Sequence, residues 1–181
     1  MSVIFGGTRQ LGFVVPDFDA ALHYWTSVQG VGPFFCIRNT RVDGYLYHGR
    51  EAASPLISLA FGYSGDLQIE VISQHDATPS CYVDFLNSGR RGAHHVCGFC
   101  DTSVEYDARY AKALKAGIDA IHEGSMGGVR FAYFDTETEP GAVISEISEA
   151  GMSGPRALFE RMRVASERWD GAHPIRSIEQ A

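Results

Sequence analysis

Two distant stretches of this chain follow the same local pattern, and that repetition restricts the fold more than any other feature. Arg9-Gln10-Leu11-Gly12-Phe13-Val14-Val15-Pro16-Asp17 reads as a short strand running into a helix N-cap. Asp17 and Asp19 then open Phe18 to Trp25, whose apolar residues recur at helical spacing. His94-His95-Val96-Cys97-Gly98-Phe99-Cys100 is a second such strand, and Asp101-Thr102-Ser103 is a second cap. Val104 to Ala116 is a second helix, stopped by Gly117. Apolar, β-rich segments follow each helix: Pro33–Ile37, Gly44–His48, Leu56–Phe61 and Leu67–Ile72 after the first, then Ile118–His122, Val129–Phe134 and Ala142–Ile147 after the second. The pattern is β-α-β-β-β, twice. One copy alone would leave a bare sheet face and open edges, so two modules are expected side by side around a shared cleft, an α+β fold. The expected divisions are a first module over 1–75, a connector over 76–91 with a short helix at Cys81–Leu86, a second module over 92–150, and a tail over 151–181. In the tail, Pro155–Val164 reads as an amphipathic helix that docks on the sheet or on a partner subunit.

Composition narrows the classes. The chain has 181 residues, 45% hydrophobic and 20% charged, which excludes disorder, collagen and coiled coil. Its 15 Lys+Arg against 22 Asp+Glu give −7, with no general pull toward nucleic acid or an anionic membrane. No apolar run approaches the roughly 20 residues that span a bilayer, and Met1 to Gly7 lacks the marks of a secretory signal. A cytoplasmic protein is expected. Cys97 and Cys100 match C-x-x-C, but residues three apart on a strand face opposite ways. They and Cys36 and Cys81 read as buried, reduced thiols.

Strand alternation brings polar residues to equivalent places in the two copies. Gln10 shares a face with Gly12 and Val14, and His95 with Ala93, Cys97 and Phe99, while His94 is expected on the opposite face. Gln68 and Glu70 share one face of their strand, as do Ile144 and Glu146. Each module therefore offers one polar group in its first strand and one carboxylate in its last. Any one of these four would pass for a solvated edge charge or a hydrogen-bonded strand histidine. As four repeat-equivalent donors that a pseudo-twofold could bring together, they point to a metal site.

The opening Gln10-Leu11-Gly12-Phe13-Val14-Val15-Pro16-Asp17 resembles that of the vicinal-oxygen-chelate superfamily, which includes glyoxalase I, methylmalonyl-CoA epimerase, extradiol dioxygenases and bleomycin-resistance proteins. Gly30-Val31-Gly32-Pro33-Phe34, Ile69-Glu70-Val71-Ile72, Gly92-Ala93-His94-His95-Val96 and Ser145-Glu146-Ile147 share the likeness. It covers about residues 8–150 and is nearest to the branch of methylmalonyl-CoA epimerase and glyoxalase I. The resemblance implies that Gln10, Glu70, His95 and Glu146 are metal ligands. Many relatives have His where this chain has Gln10, whereas the glyoxalase I branch uses Gln. The substitution argues against a dioxygenase, whose iron would want two His and one carboxylate. An isologous homodimer is the family expectation.

Three oxygen donors and one imidazole, with no thiolate, suit a divalent Zn, Co, Ni or Mn ion, and the two carboxylates balance its charge. Such a centre would acidify the proton α to a bound carbonyl. Glu146 is then the expected base and Glu70 its counterpart. The expected activity is that of a metal-dependent isomerase, epimerase or lyase acting on a small carbonyl or thioester substrate, an acyl-CoA thioester first. The alternatives are a glyoxalase I-like lactoylglutathione lyase, or a metal-free protein that sequesters an apolar ligand in a pocket lined by Phe34, Phe35, Tyr45, Tyr47 and Phe61. Arg90, Arg91 and Arg130 are candidates for holding a phosphate or carboxylate on a substrate tail. His48, His75, His122 and His173 read as surface or packing residues.

Overall fold

The computed structural model describes residues 2–139 and 141–181. The first half contains β1 (Thr8–Val14), α1 (Phe18–Ser27), β2 (Phe34–Thr40), β3 (Asp43–Tyr47), β4 (Arg50–Glu51), β5 (Ile57–Ser64) and β6 (Leu67–Gln74). After α2 (Cys81–Asn87) come β7 (Ala93–Phe99), α3 (Ser103–Lys115), β8 (Ala120–Met126), β9 (Val129–Phe134) and β10 (Ile144–Ser148). The tail forms a 3-10 turn at Glu149–Gly151, then α4 (Ser153–Glu167), β11 (Ile175–Ser177) and a second 3-10 turn at Ile178–Gln180. Among the described residues no helix is long and apolar enough to cross a membrane.

The helices begin where the caps foretell. Asp17 accepts from the Ala20 N–H at 2.9 Å and Thr102 from the Glu105 N–H at 3.1 Å, each satisfying a donor that the first turn leaves without a partner. Beyond α3 the chain reverses at Gly117, whose φ of 77° is open only to a residue without Cβ at little cost.

All the strands join one sheet in the order β11-β2-β5-β6-β1-β7-β10-β9-β8-β3-β4. Within it β1 runs parallel to β6 and β7 parallel to β10, and β1 and β7 meet antiparallel at the centre. That arrangement is the pseudo-twofold the repeat implies. Helix α1 buries Phe18 and Leu22 against Ile69, Val71, Ala60 and Phe34 on the outer face of the first half. Helix α3 does the same for the second with Tyr106 and Ala113 against Ala132, Phe134 and Ile147. The inner face carries the larger cluster, including Leu59, Phe61, Ile72 and Tyr133, and is covered by α2 and by Met162, Leu158 and Phe159 of α4. The tail helix thus docks on this chain's own sheet. On α1, Trp25 packs edge-on to Phe13, whereas Tyr24 is exposed.

The two halves are not closed repeats. The hairpin β3–β4 belongs in sequence to the first half, yet β3 pairs with β8 at the far edge of the second. Only Arg41 and Val42 separate β2, next to the opposite edge, from β3. A link that short spans roughly 10 Å at full extension. The sheet must therefore curl until its ends nearly meet, enclosing the inner face. Strand β11 pairs parallel with β2 and finishes the other edge.

Candidate metal centre

The four central strands each bring one of the expected donors toward the enclosed face. Gln10 stands on β1, Glu70 on β6, His95 on β7 and Glu146 on β10, all buried. The ligating atoms of Glu70, His95 and Glu146 lie within 4.8 Å of one another. His95 Nε2 is 3.1 Å from Glu70 Oε2 and 3.3 Å from Glu146 Oε2. Gln10 lines the same cavity as the two carboxylates. Its amide Nε2 donates to Gln68 Oε1 at 2.7 Å, and Gln68 Nε2 donates to the Tyr63 hydroxyl at 2.8 Å. That chain commits the Gln10 nitrogen and leaves its carbonyl oxygen as the end able to bind a cation.

Room for the imidazole comes from Gly12, which lies opposite His95 across the β1–β7 ladder. A Cβ on Gly12 would fall 1.8 Å from His95 Cε1, so only glycine lets the ring lie flat over β1. The pairing of β7 with β1 also slips here: Gly12 and Phe13 face His95 and Ala93, which makes His94–His95 a bulge. Strict alternation would put His94 on the opposite face. With the bulge, His94 Nδ1 comes within 3.0 Å of His95 Nδ1, while its ring packs edge-on to Phe85. If His95 presents Nε2 to the carboxylates as a lone pair, its proton is on Nδ1 and is donated to His94.

Burial disfavours the charged form of all three groups. It raises Glu70 to about 8 and lowers His95 to about 3. Glu146 is raised well above the usual carboxylate range by burial and then by the Glu70 charge, while hydrogen bonds from Cys97 and Tyr133 pull the other way. Glu146 Oε2 is buried and has no hydrogen-bond partner among the described residues. Two carboxylates and a neutral imidazole, crowded and partly unsatisfied, fit a divalent cation. The ion would supply the charge that the pair lacks.

Over this floor stands a cavity of about 600 Å³. Its walls come from β2, β5, β8 and β9 (Ile37, Leu59, Phe61, Met126, Val129, Phe131 and Tyr133) and from the tail (Pro155, Leu158, Phe159 and Ile178). Of the aromatics expected to line a pocket, only Phe61 does. Phe34 points outward beneath α1, Phe35 and Tyr45 are buried in the inner cluster, and the Tyr47 hydroxyl bonds Asp84. The candidate substrate arginines are likewise engaged elsewhere. Arg90 pairs with Glu137, Arg91 donates to the Leu86 and Arg90 carbonyls, and Arg130 bridges Glu149 and Asp107 while lying over the Tyr106 ring. His122 is fully buried as a packing residue, edge-on to Tyr45, and His75 bonds Ser58. All four cysteines are free and buried.

Sequence reading missed Cys97, Tyr133, Gln68 and His94 as neighbours of the donors. Alternation does place Gln68 beside Glu70 and Cys97 beside His95, so that signal was present. No sequence signal announces the bulge that turns His94 inward.

No curated protein matches this chain. Several solved structures share its fold. A methylmalonyl-CoA epimerase from Mycobacterium tuberculosis is 15% identical with a TM-score of 0.54, covering 88% of this chain and 96% of its own. A hypothetical protein from Bacillus halodurans is 16% identical at 0.54, covering 78% and 92%. A variant 4-hydroxymandelate synthase from Streptomyces coelicolor is 13% identical at 0.54, covering 78% of this chain but 38% of its own. The profile that matches residues 9–134, more than half of the sequence, is that of one family. On that match, and on the paired modules that meet at β1 and β7, the chain belongs to the glyoxalase/bleomycin resistance protein/dioxygenase superfamily.

Proposed function

We propose that this protein is a divalent-metal-dependent isomerase, epimerase or lyase that removes a proton α to a carbonyl. The convergence of Glu70, His95 and Glu146, with both carboxylates lining a substrate-sized cavity, carries this reading. Gln10, Glu70, His95 and Glu146 would hold the ion, which as a Lewis acid makes the α-proton of a bound carbonyl compound easier to remove. Glu146 takes that proton. Its burial and its nearness to Glu70 raise its basicity, against the smaller opposing pull of Cys97 and Tyr133 beside it. Glu70, on the other side of His95, returns the proton to the opposite face or to the adjacent carbon. Apolar walls keep water from quenching the carbanionic carbon.

An acyl-CoA thioester is the first substrate to try, because methylmalonyl-CoA epimerases share this fold and one has been solved in complex with methylmalonyl-CoA. A glutathione hemithioacetal is the second. The roomy apolar cavity also favours a further reading, a ligand-sequestering protein that works without metal. Metal analysis after purification without added ions, followed by α-proton exchange in deuterated solvent across thioesters and hemithioacetals, tests the proposal. One equivalent of metal with exchange supports the enzyme. No metal together with tight apolar-ligand binding supports the sequestering protein. A homodimer completes the proposal, and light scattering tests it.

A further inference from the structure

We infer that the part of the substrate buried in this cavity is uncharged and largely apolar, so that a carboxylate-bearing acyl group such as a malonyl unit is excluded. This deepens the enolising reading above and rests on it for the reacting carbonyl alone. The charge inventory of the cavity carries the inference. Every ionisable lining residue is an acid or a phenol: Glu70, Glu146, Tyr82 and Tyr133, and no Lys, Arg or His side chain lines it among the described residues. The floor adds no net positive charge either, since two carboxylates neutralise a divalent ion. A carboxylate entering with the substrate would lose its hydration among Leu59, Phe61, Val129 and Phe131 with no Lys or Arg to meet it, and with an ion whose charge its own two carboxylate ligands already balance.

The arginines of an adjoining groove do not correct this. That groove shares Phe99, Ala150 and Phe159 with the cavity, and there Arg109, Arg156 and Arg163 are paired with Glu105, Asp101 and Glu160, while Arg9 lines the groove and not the cavity. Selectivity is also built partly by the tail. Leu158 and Phe159 of α4 form one wall, opposite a face of the sheet that would otherwise be open to water and ions.

A matched pair of probes tests the inference: the N-acetylcysteamine thioesters of 2-methyloctanoic acid and of its analogue with a terminal carboxylate at the same chain length. Binding is measured by calorimetry to protein loaded with Co²⁺ and to chelator-treated protein, and α-proton exchange is followed in parallel. The neutral probe is expected to bind at least tenfold tighter in both states. Leu158→Arg, which puts a cation in the tail wall, is expected to cut that preference below threefold by improving binding of the carboxylate probe. Met126→Lys at the rim repeats the test should the helix variant fold poorly. Equal binding of the two probes, or tighter binding of the charged one by the native protein, overturns the inference. Preference for the neutral probe without exchange supports it while refuting the enolising reading, and exchange without preference does the reverse.

Discussion

Alanine at position 12 would place its Cβ 1.8 Å from Cε1 and 2.1 Å from Nε2 of His95. Carbon atoms in contact sit about 3.5–4.0 Å apart, so the ring or the strand beneath it must move by roughly 1.5–2 Å. Neither has room. His95 is fully buried between β1 and β10, and Gly12 is locked in register with Glu70 on one side and His95 on the other. Overpacking of this kind costs about 1–3 kcal/mol, which for a chain of this length lowers Tm by roughly 2–12 °C. The effect on metal should be larger, because ligand distances are tolerated only to about 0.2 Å and Nε2 now stands 3.1 Å from Glu70. We expect Gly12→Ala to bind Co²⁺ at least about 100-fold more weakly, about 2.7 kcal/mol. Calorimetric titration and thermal melts in chelator measure the two quantities separately. Gly7→Ala is the control: nothing lies within 4 Å of its added Cβ, so it should change stability by less than about 0.5 kcal/mol. Native metal affinity and an unchanged Tm for Gly12→Ala would refute the close approach of β1 to His95 and the site built upon it.

The metal-free protein should lose stability as pH rises from 6.5 to 8. Glu70 has its folded pKa raised by burial to about 8, so its contribution is complete below the unfolded value near 4.5 and is lost as pH rises through 8. His95, lowered to about 3 by burial, opposes this only up to its unfolded value near 6.5. The 1.5 units that remain are about 2 kcal/mol, Glu146 acts in the same direction, and added metal should flatten the slope. Urea denaturation in chelator reads it, and constant stability across that window contradicts the burial of the pair. Glu146→Gln should reduce α-proton exchange by about 10² to 10⁴; full turnover with metal retained would remove Glu146 as the base. His94→Asn, which keeps an acceptor near the position of Nδ1, should preserve the Nδ1–H form of His95 in ¹⁵N spectra of the metal-free protein, and His94→Phe should lose it. Identical His95 spectra in the two variants would show that His94 does not set the proton.

Elements whose specification is local could be read in the sequence. Asp17 and Thr102 announce their helices, and the alternation in Leu67–Val71 assigns Glu70 to the inner face because a strand has no other way to arrange its side chains. Glu146 follows from the same rule. What could not be read depends on pairing between distant segments. Nothing local to Gly44–His48 says that it joins the edge of the other half, since an antiparallel ladder is satisfied by any free edge of suitable register. The bulge at His94–His95 exists only because β1 lies opposite. Arg90 and Arg130 looked available because their acidic partners Glu137, Asp107 and Glu149 are brought to them by folding.

The crossing from Thr40 to Asp43 ties the fate of the two halves together. Cut in the connector, each half would lack something: the second would lose the hairpin that borders β8, and the first would carry a dangling ribbon with no ladder to join. Fragments expressed separately should therefore be soluble only when mixed. An ancestral duplication that once produced interchangeable cassettes would, after acquiring this loan of a hairpin, have been fixed in one order.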